Sequence, residues 1–245
     1  MSALQRLSSR IRRTPAGGAG GGGGTGAAES IHERGAEIGR RIGVVLMHGG
    51  WKVRILGAWR VPMDGPVIFA VNHSSLLDGP MIMGVAPRPI HFLIKQEAFV
   101  GPLDPFLRAI GQLPVDRAST DRTAITGALR VLQAGGALGV FPEGTRGDGD
   151  FAQLRGGLAW FALRSGAPIV PVACLGTGAE ESGGRSVPRF RAKVDVVFGE
   201  PFPAVETAAG SAPPRGRRAV DQASEHIRTR LAEHLVEARR LTGRR

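Results

Sequence analysis

Residues Val67–Asp78 read VIFAVNHSSLLD, and the order of residue types within them decides the fold. Val67–Val71 is an unbroken apolar run, the pattern of a strand buried on both faces of a sheet. Asn72–Leu77 then interrupts it, and Asp78 suits the first turn of a helix, where a negative charge is stabilised. A buried strand passing through a polar loop into a helix is the repeating unit of a parallel α/β sheet. In such sheets, ligands and reactive groups collect in the loops at the carboxyl ends of the strands. His73 falls in one of these loops.

The text on the C-terminal side repeats this alternation. His91–Ile94, Leu113–Val115, Ala137–Phe141 and Ile169–Ala173 read as further strands, and Lys193–Phe198 as a later alternating one. Between them, a helix capped by Ser119 or Thr120 runs to Leu132 and stops at Gly135-Gly136, and a second spans Gly156–Arg164. Ala219–Leu241 is a charged amphipathic helix. On the N-terminal side, Ile31, Ile38, Ile42, Val45 and Leu46 recur at helical spacing from Ser30 to about Gly50. The fold class is therefore α/β, a mostly parallel sheet covered by helices on both sides, with an N-terminal amphipathic helix and a C-terminal helix.

Composition divides the chain. Residues 1–28 form a Gly-rich basic tail expected to be disordered, and 29–60 an amphipathic segment able to lie at a membrane interface. Residues 61–205 form the α/β domain and 206–245 a basic linker with the C-terminal helix. The formal net charge is +11, unevenly spread: residues 1–60 hold ten basic and three acidic residues, and 211–245 nine and four. The middle, 61–210, holds thirteen and fourteen. A near-neutral core between basic ends fits an anionic membrane surface, whereas a nucleic-acid domain usually carries its charge on the folded body. No apolar run approaches the ~20 residues of a transmembrane helix, so a cytoplasmic protein, peripheral on the inner face of the cell membrane, is expected. The single cysteine, Cys174, excludes an intramolecular disulfide framework and fits a small buried hydrophobe.

Four segments carry candidate chemistry. His73 is followed five residues on by Asp78, so the carboxylate can hold one ring nitrogen and leave the other to take a proton. Phe141-Pro142-Glu143-Gly144-Thr145-Arg146 follows a strand and offers a carboxylate, a hydroxyl and a guanidinium fork beside a flexible glycine. Gly111–Arg117 is another strand end, closing on an arginine able to hold phosphate in bidentate fashion. Lys95, one of three lysines in the chain, also ends a strand. Each has an ordinary alternative taken alone: a surface histidine beside a helix-capping Asp, a turn, a solvated charge.

In this order and spacing, the segments resemble the glycerolipid acyltransferase family, of 1-acylglycerol-3-phosphate acyltransferase type. The resemblance runs from Trp51 to Pro203 and includes N-H-x-x-x-x-D at 72–78, K-x-E at 95–97, F-P-E-G-T-R at 141–146 and P-I-V-P-V at 168–172. It implies that His73 is a general base oriented by Asp78. It also implies that Arg117, Glu143, Gly144, Thr145 and Arg146 shape a pocket for the acceptor's phosphate, with Lys95 nearby. The implied co-substrates are an acyl-CoA or acyl carrier protein thioester and a lysophospholipid acceptor, with no metal, no cofactor and no covalent acyl-enzyme. Another lysophospholipid or glycerol 3-phosphate is the alternative acceptor, and a basic nucleic-acid-binding protein the alternative from a different class. Two departures border the implied pocket: Gly147 stands where the family often has serine, followed by Asp148 and Asp150, and Leu154-Arg155 where a basic pair is common.

Overall fold

The computed structural model describes residues 25–116, 121–144, 149–151, 154, 156–178, 187–206 and 216–244, with side chains from Arg34 onward. The elements in chain order are α1 (Thr25–Gly50), β1 (Lys52–Leu56), β2 (Val67–Val71), α2 (Asp78–Val85), β3 (His91–Lys95) and α3 (Leu103–Ala109). Then come β4 (Leu113–Val115), α4 (Arg122–Gln133), β5 (Ala137–Val140), α5 (Gly157–Ser165), β6 (Ile169–Leu175), β7 (Lys193–Phe198) and α6 (Arg217–Thr242). The seven strands form one sheet in the order β1-β7-β6-β2-β5-β3-β4. From β6 to β4 all neighbours are parallel, which brings five strand ends to one edge of the sheet.

Strand alternation divides the core into two layers. Ile68 and Ala70 of β2, with Leu138 and Ile169, face α4, α5 and α6 through Ala128, Leu132, Leu158, Phe161, Ile227 and Leu231. Val67, Phe69 and Val71, with Val170 and Val172, face Met47 of α1 and Met81, Ile82 and Val85 of α2. Burial on both sides explains why β2 and β6 lack any polar alternation. On the α1 side, two helices meet backbone to backbone. A Cβ on Gly84 would come within 2.5 Å of the Gly43 carbonyl, so only glycine permits this approach.

Three features depart from the expected layout. The sheet begins before residue 61: β1 lies in the segment assigned to the amphipathic region and pairs in parallel with β7, Lys52 opposite Lys193 through Leu56 opposite Val197. As an edge strand exposing Lys52 and Arg54, it carries no strong apolar signature. β7 runs antiparallel to β6, with Val172 opposite Phe198, so this connection needs no crossover helix. The cap of α4 is Asp121, whose carboxylate accepts from the Ala124 N–H at 2.9 Å and the Asp116 N–H at 3.0 Å. Ser119 and Thr120, expected to cap it, lie outside the described residues, as do residues 1–24 of the tail expected to be disordered over 1–28, whereas its last four residues, 25–28, belong to α1. No helix among the described residues is long and apolar enough to cross a membrane.

The reversed pair β1–β7 is tied to the end of α6 by one buried carboxylate. Asp195 on β7 accepts from Arg54 Nε of β1 at 2.6 Å and from Arg244 Nε at 2.5 Å. Arg54 also donates to the Thr242 carbonyl at 3.0 Å, and Arg244 to the Lys193 carbonyl at 2.7 Å. Removing the carboxylate takes a charged partner from two guanidinium groups, of which Arg54 is half-exposed and each keeps a carbonyl acceptor, so Asp195→Ala should destabilise the fold by about 2 kcal/mol. Chemical denaturation measures this directly. A loss below about 0.5 kcal/mol, the range of an ordinary surface substitution, would contradict the assignment.

Candidate active site

The loop after β2 is organised around Asp78. Its carboxylate is fully buried and sits at the first residue of α2. Oδ2 accepts from the backbone N–H groups of Ser74 at 2.8 Å and Ser75 at 2.7 Å, which folds residues 73–75 back over the helix start. The same oxygen lies 3.1 Å from His73 Nδ1, and Oδ1 accepts from the Thr177 hydroxyl at 2.6 Å. A carboxylate serving so many donors takes a donor from the ring as well, so Nδ1 carries the proton and Nε2 the lone pair. Nε2 has no hydrogen-bond partner among the described residues.

The ring is held on its face too. His73 stacks on Phe141 with centroids 4.1 Å apart and planes at 25°, and Phe141 stacks on Phe92 of β3 at 5.3 Å. Phe141 is the first residue after β5, the neighbour of β2, so the parallel register sets imidazole and phenyl side by side. Asn72 fixes the other flank. Its side-chain oxygen accepts from the Cys174 N–H at 2.7 Å and its amide donates to the Cys174 carbonyl at 3.1 Å, extending the β2–β6 ladder by one side chain. Cys174 itself is buried in the sheet core, as expected of a small hydrophobe.

Glu143 and Gly144 lie beside this pair. The Gly144 N–H donates to the Phe141 carbonyl at 3.0 Å, and a φ of 74° places Gly144 in the left-handed region that closes the turn. Burial pushes the Glu143 carboxyl up to about 7. Backbone donation from Phe151 and His73 opposes this shift, and the charges of Asp150 and Asp78 add to it. Its Oε1 is buried with no hydrogen-bond partner among the described residues.

Lys95 ends β3 at the same edge of the sheet, half-exposed, with Nζ 2.9 Å from Glu97 Oε1. The structure thus joins His73, Asp78, Glu143 and Gly144 into one cluster, while Lys95 stands two strands from β2 and pairs with Glu97. Arg117, Thr145 and Arg146 lie outside the described residues. Two residues with clear roles in the geometry escape a reading of the sequence. Phe141 gives no sign that its ring will meet His73, and Thr177 is 99 positions from the carboxylate it binds.

Known proteins share this arrangement of elements. The family model described as Acyltransferase matches residues 52–175, from the first residue of β1 to the last of β6. A 1-acyl-sn-glycerol-3-phosphate acyltransferase of Bacillus subtilis is 30% identical over 161 residues, covering 65% of this chain and 77% of that protein. The chloroplastic 1-acyl-sn-glycerol-3-phosphate acyltransferase LPAT1 of Arabidopsis thaliana is 28% identical over 133 residues, covering 52% of this chain and 37% of its own. The crystal structure of the 1-acyl-sn-glycerophosphate (LPA) acyltransferase PlsC from Thermotoga maritima shares the fold, with a TM-score of 0.63 at 24% identity. That match covers 86% of this chain and 81% of the other. With a family match over the whole span from β1 to β6, the chain belongs to the acyltransferase family.

Proposed function

We propose that this protein transfers a fatty acyl group from a thioester of coenzyme A or acyl carrier protein to the free hydroxyl of 1-acylglycerol 3-phosphate. The observation that carries the reading is the His73–Asp78 pair at the carboxyl edge of the parallel strands, its Nε2 without a partner among the described residues beside the Phe141–Gly144 turn. The named activity of the Bacillus subtilis relative supports the choice of acceptor. In the reaction, the acceptor oxygen attacks the thioester carbonyl while its proton passes to His73 Nε2. Asp78 holds the ring through Nδ1–H and offsets the imidazolium charge. The tetrahedral adduct then collapses, the carbon–sulfur bond breaks, and the imidazolium returns its proton to the departing thiolate. Arg117 and Arg146 hold the acceptor phosphate, and Glu143, Gly144 and Thr145 shape the pocket, with Lys95 at its margin.

The acceptor and product are lipids, and α1 suits a membrane surface. Ile38, Ile42, Val45 and Leu46 are exposed along it, and Trp59 is 80% exposed just beyond β1. We place the protein peripherally on an anionic, cytoplasmic membrane face, with the basic ends supplying ~1 kcal/mol per charge near the surface. High salt should weaken binding to anionic vesicles without abolishing it, because the apolar contact remains. Equal binding to neutral and anionic vesicles at low salt, measured by co-sedimentation, would refute the electrostatic part.

Glu143 adds a pH dependence to stability. Its carboxyl titrates at about 7 when folded against 4.5 ordinarily, so between these values the native state holds the extra proton. Stability associated with Glu143 is therefore full below pH 4.5 and is lost as pH rises through about 7. Glu143→Gln lacks this titration, so wild type should lose stability relative to the variant across that window in paired melting curves. Curves that stay parallel would show that the carboxyl is not desolvated.

The dyad makes the sharpest prediction for activity. His73→Ala should lower turnover by at least ~10²–10⁴ in correctly folded protein, and Asp78→Asn should also be damaging, because an amide can favour the wrong tautomer. Incubation with donor alone should leave no acyl group on the protein by intact mass. An active His73→Ala variant, or a stable acyl-enzyme, would sink the mechanism.

A further inference from the structure

Asp78 Oδ2 gathers its donors from one short segment, residues 73–75. Those contacts serve one oxygen only and leave Oδ1, whose place sets the tilt of the same carboxylate, to a donor from elsewhere. The second point of attachment comes from a different part of the chain. Thr177 follows the end of β6 and is fully buried, with its hydroxyl 2.6 Å from Oδ1. A hydroxyl has one proton to give. Since it goes to the carboxylate, the 3.3 Å contact between Ser74 Oγ and Thr177 Oγ1 has Ser74 as donor. A directed chain results, from Ser74 to Thr177 to Asp78, and it meets the His73 N–H at the same carboxylate.

The backbone around Thr177 is built to hold this position. Gly176 has φ 90°, and a Cβ there would come within 2.5 Å of the Lys193 carbonyl, so the chain turns sharply between β6 and Thr177. Two residues before that turn, Cys174 is clamped by both polar atoms of the Asn72 side chain. The loop carrying His73 and the exit of β6 are therefore registered to each other before Thr177 makes its contact.

We infer that Thr177 is a positioning residue for the acyl-transfer reaction, fixing the Asp78 carboxylate so that Oδ2 stays aligned with His73 Nδ1. The inference rests on His73 acting as the general base. A buried threonine that merely satisfies a neighbour would affect stability alone; a positioning residue affects turnover through Asp78.

The experiment measures kcat and KM for acyl transfer from an acyl-CoA to 1-acylglycerol 3-phosphate in the full chain. Thr177→Val keeps the shape and removes the donor, and it should lower kcat by about 10²-fold, the cost of a small misplacement of a reacting group, with KM for the acceptor unchanged. Thr177→Ser restores the donor and should recover most of the activity. In an Asp78→Asn background, Thr177→Val should cost little more, because the group it positions is already disabled. If the valine variant fails a melting test, Thr177→Cys, similar in size with a much weaker donor, takes its place under the same expectations. Wild-type turnover in a folded donor-free variant, equal losses for serine and valine, or full additivity with Asp78→Asn would overturn the inference. An active His73→Ala variant would instead overturn the general-base reading beneath it, so the two failures are distinguishable.

Discussion

A carboxylate taken out of water is costly unless donors replace the lost hydration, and Asp78 is fully buried. The local structure of the site follows from meeting that requirement. Two backbone N–H groups, a ring N–H and a hydroxyl converge on it, and each fixes a different part of the molecule. The backbone donors shape the loop that starts α2, the imidazole acquires a defined tautomer, and the hydroxyl ties in the end of β6. The geometry proposed for catalysis and the solvation of one charge are the same set of contacts.

Parallel pairing makes this convergence possible. Because β6, β2, β5 and β3 run the same way, their carboxyl ends deliver Thr177, His73, Phe141 and Lys95 to one edge of the sheet. The helices on both faces keep those strands dry, and the residues just beyond the strands inherit rigid anchor points. The reversed pair β7 and β1 meets that edge with its strand starts, where the Lys193 carbonyl crowds Gly176. Its work is to close the far side of the sheet and fasten the C-terminal helix through Asp195.

What was legible in the sequence tracks how local each feature is. Val67–Val71 and Ile169–Leu175 announce themselves because burial on both faces demands an uninterrupted apolar run. His73 and Asp78 are five positions apart across a single strand-to-helix turn, so their spacing permits the pair, and the resemblance of the combined segments singles it out. Lys52–Leu56 is harder: an edge strand with exposed charges satisfies its one partner without an apolar signature, and the nearby tryptophans suggest an interfacial segment instead. Trp51 is in fact half-buried and donates to the Pro188 carbonyl at 3.4 Å, while Trp59 is exposed. The direction of β7 is invisible because alternation is the same in both directions. α3 spans seven residues, too few for helical periodicity to show. Thr177 is hidden because its meaning lies in a partner far along the chain, and only the β2–β6 register brings the two together.

The proposed chemistry turns on which nitrogen of His73 bears the proton, since a base must present a lone pair to the acceptor hydroxyl. Nitrogen-15 NMR of imidazole-labelled protein reads this directly, with the His73 signals identified by their loss in His73→Ala. In the neutral ring, Nδ1 should show the shift of a protonated nitrogen and Nε2 that of an unprotonated one. The opposite tautomer, with the proton on Nε2, would leave Asp78 facing a lone pair and would contradict the arrangement on which the chemistry depends.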